Sequence, residues 1–409
     1  MRFPTLDDID PQGKTVLIRV DLNSPIDPET RRVRDNERFR AHAQTVEEVA
    51  AKGGKAVVLA HQGRKGEPDF LPLEQHAEIL SKYLNRDVRY VPDVIGDAAR
   101  EAIMGMGEGE VILLDNVRFL EEETREADPE THARSRLVSS LAPLSDVFVL
   151  DAFSVSHRSH ASIVGFPQVL PTVAGRVMER ELKALSEILE KDREITLFTG
   201  GNKPKDCIEV IEALWRSGRL RRLLTAGILG QLFLLSRGHD LGEPSLRYLR
   251  EKGFMKLAGR VKALGEALGD RVLTPIDVAC RVDGGRVEVD VGDLPAPGLI
   301  LDIGRRTAEL YGGIIRELRE DEAVVVKGPA GAYELPEFRL GSRIIYEALR
   351  RSRAFTLIGG GDSSTALKML GMRFEDFSYV SLGGGALIRF LAGKPMPGVA
   401  VLLRQVASP

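Results

Sequence analysis

Ile195-Thr196-Leu197-Phe198-Thr199-Gly200-Gly201-Asn202-Lys203 is the stretch whose reading decides the fold. A short apolar, strand-like run ends in two glycines and then a lysine. A strand that ends in glycines and opens a helix presents backbone N–H groups at the positive end of a helix dipole, an arrangement that suits phosphate. The same pattern returns twice: residues 355–358 lead into Gly359-Gly360-Gly361-Asp362, and residues 379–382 lead into Gly383-Gly384-Gly385. A glycine cluster alone is usually a tight turn. Lys203 and Asp362 lift two of the three above that reading and predict a polyphosphate site with a metal.

Upstream, residues 173–191 read as one long helix. Met178, Leu182, Leu185 and Leu189 form a single apolar stripe, and Glu179 with Lys183 and Glu187 with Lys191 are favourable i,i+4 pairs. Before this helix, residues 15–22, 55–60, 110–114 and 147–150 are near-continuous Val, Ile and Leu, with helical segments such as 73–84 between them. Such runs are expected of parallel strands covered on both faces. Strand–helix alternation on both sides of residues 173–191 predicts an α/β protein with doubly wound parallel sheets.

In an open parallel sheet, ligands bind beyond the carboxyl ends of the strands. In the N-terminal half those ends carry Asp21 and Asn23, then His61 and Arg64, then Asn116 and Arg118, then Asp151 and His157-Arg158-Ser159-His160. One arginine is ordinarily a solvated surface charge. Cations and polar donors at successive strand ends predict a receptor for a small, multiply charged anion, which the arginine fork binds bidentately.

Other motifs fail. Gly13-Lys14-Thr15 resembles the end of a P-loop, but it precedes its strand and position 8 is Asp where Gly is required. No Gly-x-Gly-x-x-Gly occurs, because Ser364 and Ile388 stand at the last positions. His157 and His160 have metal-ligand spacing but no third His or Cys nearby. Length (409 residues) predicts two or three domains, and a net charge of -3 argues against binding nucleic acid through bulk positive charge. Two cysteines fit a reducing cytoplasm. The longest apolar stretch, residues 223–235, is too interrupted to span a bilayer. Five Asn and seven Gln beside 29% charged residues point toward heat adaptation.

Taken in order, these residues resemble the phosphoglycerate kinase family over essentially the whole chain, and archaeal-type members above all. The resemblance rests on Arg19-Val20-Asp21-Leu22-Asn23-Ser24-Pro25, His61-Gln62-Gly63-Arg64, Asn116-Val117-Arg118-Phe119, Asp151-Ala152-Phe153 and His157-Arg158-Ser159-His160. It continues through Gly200-Gly201-Asn202-Lys203, Leu301-Asp302-Ile303-Gly304, Gly328-Pro329-Ala330-Gly331 with Glu334, Gly359-Gly360-Gly361-Asp362-Ser363 and Ser381-Leu382-Gly383-Gly384-Gly385.

The resemblance implies Mg²⁺-dependent, reversible phosphoryl transfer from 1,3-bisphosphoglycerate to ADP, giving 3-phosphoglycerate and ATP, on closure of a cleft between two Rossmann-like domains. Residues 1–172 would bind phosphoglycerate. Residues 173–397, beginning with the connector 173–191, would bind nucleotide, and the tail 398–409 would pack back on the first domain. By family pattern Asp21, Asn23, Arg38, His61, Arg64, Arg118 and Arg158 would hold phosphoglycerate. Gly200, Gly201, Lys203, Gly227, Gly304, Pro329, Glu334, Gly360, Gly361, Asp362 and Ser363 would hold nucleotide, with Glu334 on the ribose and Asp362 on Mg²⁺. Arg38 and Lys203 would be catalytic. A cytoplasmic enzyme, monomeric in preference to dimeric, with no nucleic-acid or membrane partner is expected. The alternatives are a non-catalytic binder of nucleotide or phosphoglycerate and a kinase for another carboxylate.

Departures from the family pattern fall on the nucleotide side. Cys207 stands where many relatives carry a second lysine, Lys327 where Asn is usual, Leu382 where Thr is usual, and Thr225-Ala226-Gly227 where three glycines are usual.

Overall fold

The computed structural model describes residues 1–405. Six strands make a parallel sheet in the order β3-β4-β2-β1-β5-β6: β1 Thr15–Arg19, β2 Lys55–Leu59, β3 Val88–Val91, β4 Val111–Leu114, β5 Val147–Leu150 and β6 Thr172–Ala174. The central four strands are buried along nearly their whole length, so side chains on both faces are apolar. Val16, Ile18 and Val20 point to the face where Phe39, Val46 and Val49 of the helix Glu37–Ala51 pack. Leu17 and Arg19 point to the other face, as the period of two requires.

The second half repeats the plan. Of its strands, β7 (Ile195–Thr199), β8 (Leu220–Thr225), β9 (Val272–Leu273), β13 (Ala323–Lys327), β14 (Phe355–Gly359) and β15 (Tyr379–Ser381) form a parallel sheet ordered β15-β14-β13-β7-β8-β9. Between them in sequence β10 (Asp277–Val282), β11 (Gly285–Asp290) and β12 (Leu299–Ile303) form a separate antiparallel sheet, which the strand–helix reading did not foresee. Val324, Val326, Ile358 and Phe198 form a core with Tyr311, Ile315, Ile345 and Tyr346.

The long helix runs Arg176–Leu189, with both foreseen ion pairs in place: Lys183 to Glu179 at 2.5 Å and Lys191 to Glu187 at 2.7 Å. It starts later than the expected residue 173. Thr172–Ala174 instead pairs with β5 as β6, where β-branched residues fit, and Gly175 separates strand from helix. The chain divides into two compact units inside this helix, between Lys183 and Ala184, and a segment beginning at Pro395 rejoins the first unit. Its helix Pro397–Arg404 is fixed there by Gly398 N–H donating to the Ser156 carbonyl and by the Gln405 amide donating to the Pro167 carbonyl. The last four positions of the expected tail, 406–409, lie outside the described residues. Among the described residues no helix is long and apolar enough to cross a membrane.

Candidate active site

In the first unit, the ends of β1, β2, β4 and β5 converge on Asp21. Asn36 caps the helix Glu37–Ala51 by accepting from the Arg38 N–H, which holds Arg38 in the first turn. From there its Nη1 donates to Asp21 Oδ2 at 2.6 Å and to the Asn23 carbonyl at 3.1 Å. Ser154 also donates to Asp21 Oδ2, and Asp21 Oδ1 accepts from Asn23 N–H at 3.0 Å. Burial works to raise the Asp21 pKa, but Arg38, His61 and Ser154 outweigh it and hold the carboxyl well below the usual carboxylate range. Asn23 in turn accepts from Gly63 N–H at 2.8 Å, tying the β1 loop to the β2 loop.

Arg19 is the residue that motif reading left without a role. It is wholly buried at the end of β1, with Nε on Ser162 Oγ at 2.7 Å and Nη1 on its neighbour's carbonyl. Nη2 donates to His61 Nδ1 at 3.1 Å, which leaves His61 Nε2 as the N–H donor. Burial, then the Arg19 charge, push the His61 pKa well below its ordinary value, so the ring is neutral at pH 7. Arg118 donates to the Gly63 carbonyl, while its buried Nε has no hydrogen-bond partner. Burial and the like charges of Arg19 and Arg158 lower its pKa to about 10. It therefore stays charged at neutral pH. Guanidiniums crowded closely enough to depress one another make a site that an anion relieves. Asp21, Asn23, Arg38, His61, Arg118 and Arg158 all belong to this assembly. Arg64 lies next to it, exposed on the loop after β2.

In the second unit the glycine turns meet, but they do so by packing backbone on backbone. A Cβ on Gly200 would lie 2.0 Å from the Pro329 carbonyl oxygen, and one on Gly328 2.5 Å from that of Gly200. Gly200 N–H donates to the Lys327 carbonyl at 2.8 Å, Gly201 N–H to Pro329 at 2.7 Å and Gly227 N–H to Ala330 at 3.1 Å. These three amides are spent inside the protein. The expectation that they face a phosphate is corrected: tight junctions between neighbouring strand ends consume them. Gly304 is likewise structural, since a Cβ there would strike the Asp277 carboxylate, which caps the following helix through Arg306 and Thr307 N–H. The Ser363 hydroxyl is also engaged, accepting from Gly328 N–H at 3.0 Å and donating to the Gly359 carbonyl at 3.1 Å.

What remains open is the helix Gly361–Met369, entered through Gly360 at φ +104°. Asp362 sits in its first turn, where Lys203 Nζ binds its Oδ2 at 2.9 Å with both side chains largely exposed. Beside them is a cavity of about 220 Å³. Gly201, Gly227, Pro329, Glu334 and Asp362 line it, with Ile228, Leu234, Val278 and Leu299 among its apolar walls. Much of that wall comes from the antiparallel sheet and was missed in the sequence. A signal existed: Asp283 and Gly284 both have positive φ, and an Asp-Gly pair followed by the alternation of residues 285–290 marks a hairpin.

Among the described residues no three His, Cys, Asp or Glu gather as a metal site. That is compatible with Mg²⁺ carried by a nucleotide, which takes one or two carboxylates, water and phosphate oxygens. Asp362, exposed at a helix N-terminus at the edge of the cavity and next to Lys203, fits that need.

Fold and sites together define a two-unit α/β protein with a cationic anion trap on one parallel sheet and an apolar, nucleoside-sized pocket on the other. The family model described as phosphoglycerate kinase matches residues 6–394, and the chain belongs to that family. The chain is 44% identical to the phosphoglycerate kinase of Methanothermobacter thermautotrophicus, covering 98% of this chain and 97% of that protein. It is 43% identical to that of Methanopyrus kandleri over the same shares. The crystal structure of phosphoglycerate kinase from Pyrococcus horikoshii superimposes with a TM-score of 0.91 at 33% identity, covering 98% of this chain and 99% of that one.

Proposed function

We infer that this enzyme is a phosphotransferase acting on a carboxyl group: it catalyses reversible transfer of phosphoryl from 1,3-bisphosphoglycerate to ADP, forming 3-phosphoglycerate and ATP. Family membership over nearly the whole chain supports the activity. The observation that carries the site assignment is the cluster of Arg19, Arg118 and Arg158 about the Asp21–Arg38 pair, a charge excess suited to phosphoglycerate.

In the forward direction a β-phosphate oxygen of ADP attacks the acyl phosphorus. One P–O bond forms, the bond to the acyl oxygen breaks, and the electron pair stays on the departing carboxylate. Carboxylate and phosphate oxygens are ionised near neutrality, so no general base is needed. The barrier lies in alignment and in charge on the migrating group. Arg38 serves one side and Lys203 the other, each supplying donors where charge develops. Neutral His61 donates through Nε2 to substrate oxygen. Glu334 takes the ribose, and the pocket walls take the base. Asp362 would hold a nucleotide-borne Mg²⁺, which would supply neutralisation of phosphate charge. Lys203, exposed next to the same helix turn, would serve the phosphate oxygens. Transfer requires the two lobes to bring their ligands together, which also excludes water from the acyl phosphate. A cytoplasmic, monomeric enzyme is the setting this reading implies.

ATP formation from ADP and 1,3-bisphosphoglycerate with Mg²⁺ is the test. Turnover abolished by omitting either substrate is the expected result. Tight binding of both ligands with no turnover would mean a binder, not a kinase.

A further inference from the structure

The closed glycine junctions raise a question of charge: with the Gly200, Gly201 and Gly227 amides consumed, fewer backbone donors are left to face nucleotide phosphates. Lys327 is placed to do so. It is the last residue of β13, in register with Thr199 of β7 on one side and Gly359 of β14 on the other. It thus stands between the two turns that lead to Lys203 and to Asp362. Val326 faces the apolar core, so Lys327 faces away from it. Its Nζ lies 3.2 Å from where a Cβ on Gly360 would be, over the entrance to the helix Gly361–Met369.

Three observations show that this ammonium lacks an anion among the described residues. It is half-buried, yet it forms no ion pair or hydrogen bond among the described residues. Asp362, the carboxylate in the adjoining helix turn, is taken by Lys203. Cys207, whose thiol feels the Lys327 charge, is itself neutral, its pKa pushed up by burial to about 12. Beside Lys327 the Thr199 hydroxyl is fully buried and has no hydrogen-bond partner. A partly desolvated cation at this strand end favours an oxyanion.

We propose that Lys327 is a second phosphate-gripping cation of the nucleotide site, acting with Lys203 on the phosphate chain and replacing the charge that the closed amide junctions cannot supply. This rests on the kinase reading above. Lysine suits the place, since a compact ammonium needs no planar partner.

The test is calorimetric binding of ADP and of adenosine to wild type, Lys327→Met and Lys327→Arg, with kinetics alongside. Loss of one charge-assisted contact should weaken ADP by about tenfold or more. Adenosine, which lacks phosphate, should bind Lys327→Met within about twofold of wild type. The KM for 3-phosphoglycerate should stay put, and Lys327→Arg should recover most of the ADP affinity. If Lys327→Met proves unfolded in a thermal melt, Lys327→Gln takes its place in every comparison. ADP affinity within about twofold of wild type in the neutral variant, or equal losses for ADP and adenosine, overturns the proposal. A wild type that binds ADP but does not turn over leaves Lys327 standing and defeats the kinase reading instead.

Discussion

Arg38 shows how one side chain couples chemistry to stability. In the proposed reaction it serves the migrating phosphoryl, and in the structure it neutralises a buried Asp21 at 2.6 Å. Arg38→Ala should lower kcat by about 10²–10³-fold, as loss of a transition-state donor does. It should also lower stability by about 1–3 kcal/mol, because Asp21 keeps its burial and loses its strongest partner. Adding Asp21→Asn should restore much of the melting temperature while leaving kcat low. Recovery of both together would show that Arg38 acts only through the fold. Asp362→Asn bears on the metal: the Mg²⁺ concentration for half-maximal rate should rise by roughly tenfold or more. An unchanged Mg²⁺ titration would remove Asp362 from that role. The sequence reading placed Asp21, Arg38, Arg118, Lys203 and Asp362 in the site. It did not single out Arg19, which is buried and orients His61, because burial is a property of the assembled sheet and not of a motif.

At the scale of elements, the helix Arg176–Leu189 is anchored at its start by the first unit. Asp151 Oδ1 accepts from Val177 N–H at 2.8 Å and Met178 N–H at 3.1 Å, while Oδ2 meets His42 Nδ1 at 2.9 Å. His42 Nε2 accepts from Asp21 N–H at 3.3 Å, so one buried chain of bonds links the substrate loop to the helix start. Arg176 adds bonds to Glu48, Asp7 and Glu179. Asp151→Ala strands two helix N–H groups and a histidine in a dry site, and should cost about 2–3 kcal/mol in denaturant melts. Asp151→Asn keeps an acceptor for the helix and should cost less. Equal losses would argue that the carboxylate charge, not the cap, matters. The helix was legible from its apolar stripe and i,i+4 pairs. Its first residues were not, because Thr172–Ala174 become a strand only through pairing with β5, a partner more than twenty residues away.

For the whole molecule, the two units should answer acid differently. In the first, burial lowers His76 to about 4 and His160 to about 3, and His61 also falls well below its ordinary value. Their unfolded forms protonate near pH 6.5. Between that pH and the folded values the unfolded chain binds more protons, so stability falls as pH drops, by roughly 1.4 kcal/mol per pH unit for each histidine. Glu123, raised by burial, runs the other way. In the second unit burial raises Asp302 to about 6, above its unfolded value. The folded state binds the extra proton there, and acidification from pH 6 toward 4 relieves a cost. Trp215, the one tryptophan, lies in the second unit. Between pH 6 and 4, loss of far-ultraviolet ellipticity should therefore precede the change in tryptophan fluorescence. Coincident transitions would contradict this difference. Local pattern alone determined that the chain is a parallel α/β protein, that its strand ends carry the chemistry, and that cations and acids stand at defined places along it, because side-chain period and turn residues are local properties. Only the tertiary structure decided which glycine amides are already used, which arginine is buried, that Lys327 has no counter-ion among the described residues, and that an antiparallel sheet walls the pocket. Each of those depends on which distant backbone or charge arrives next to a residue, and spacing along the chain does not record that.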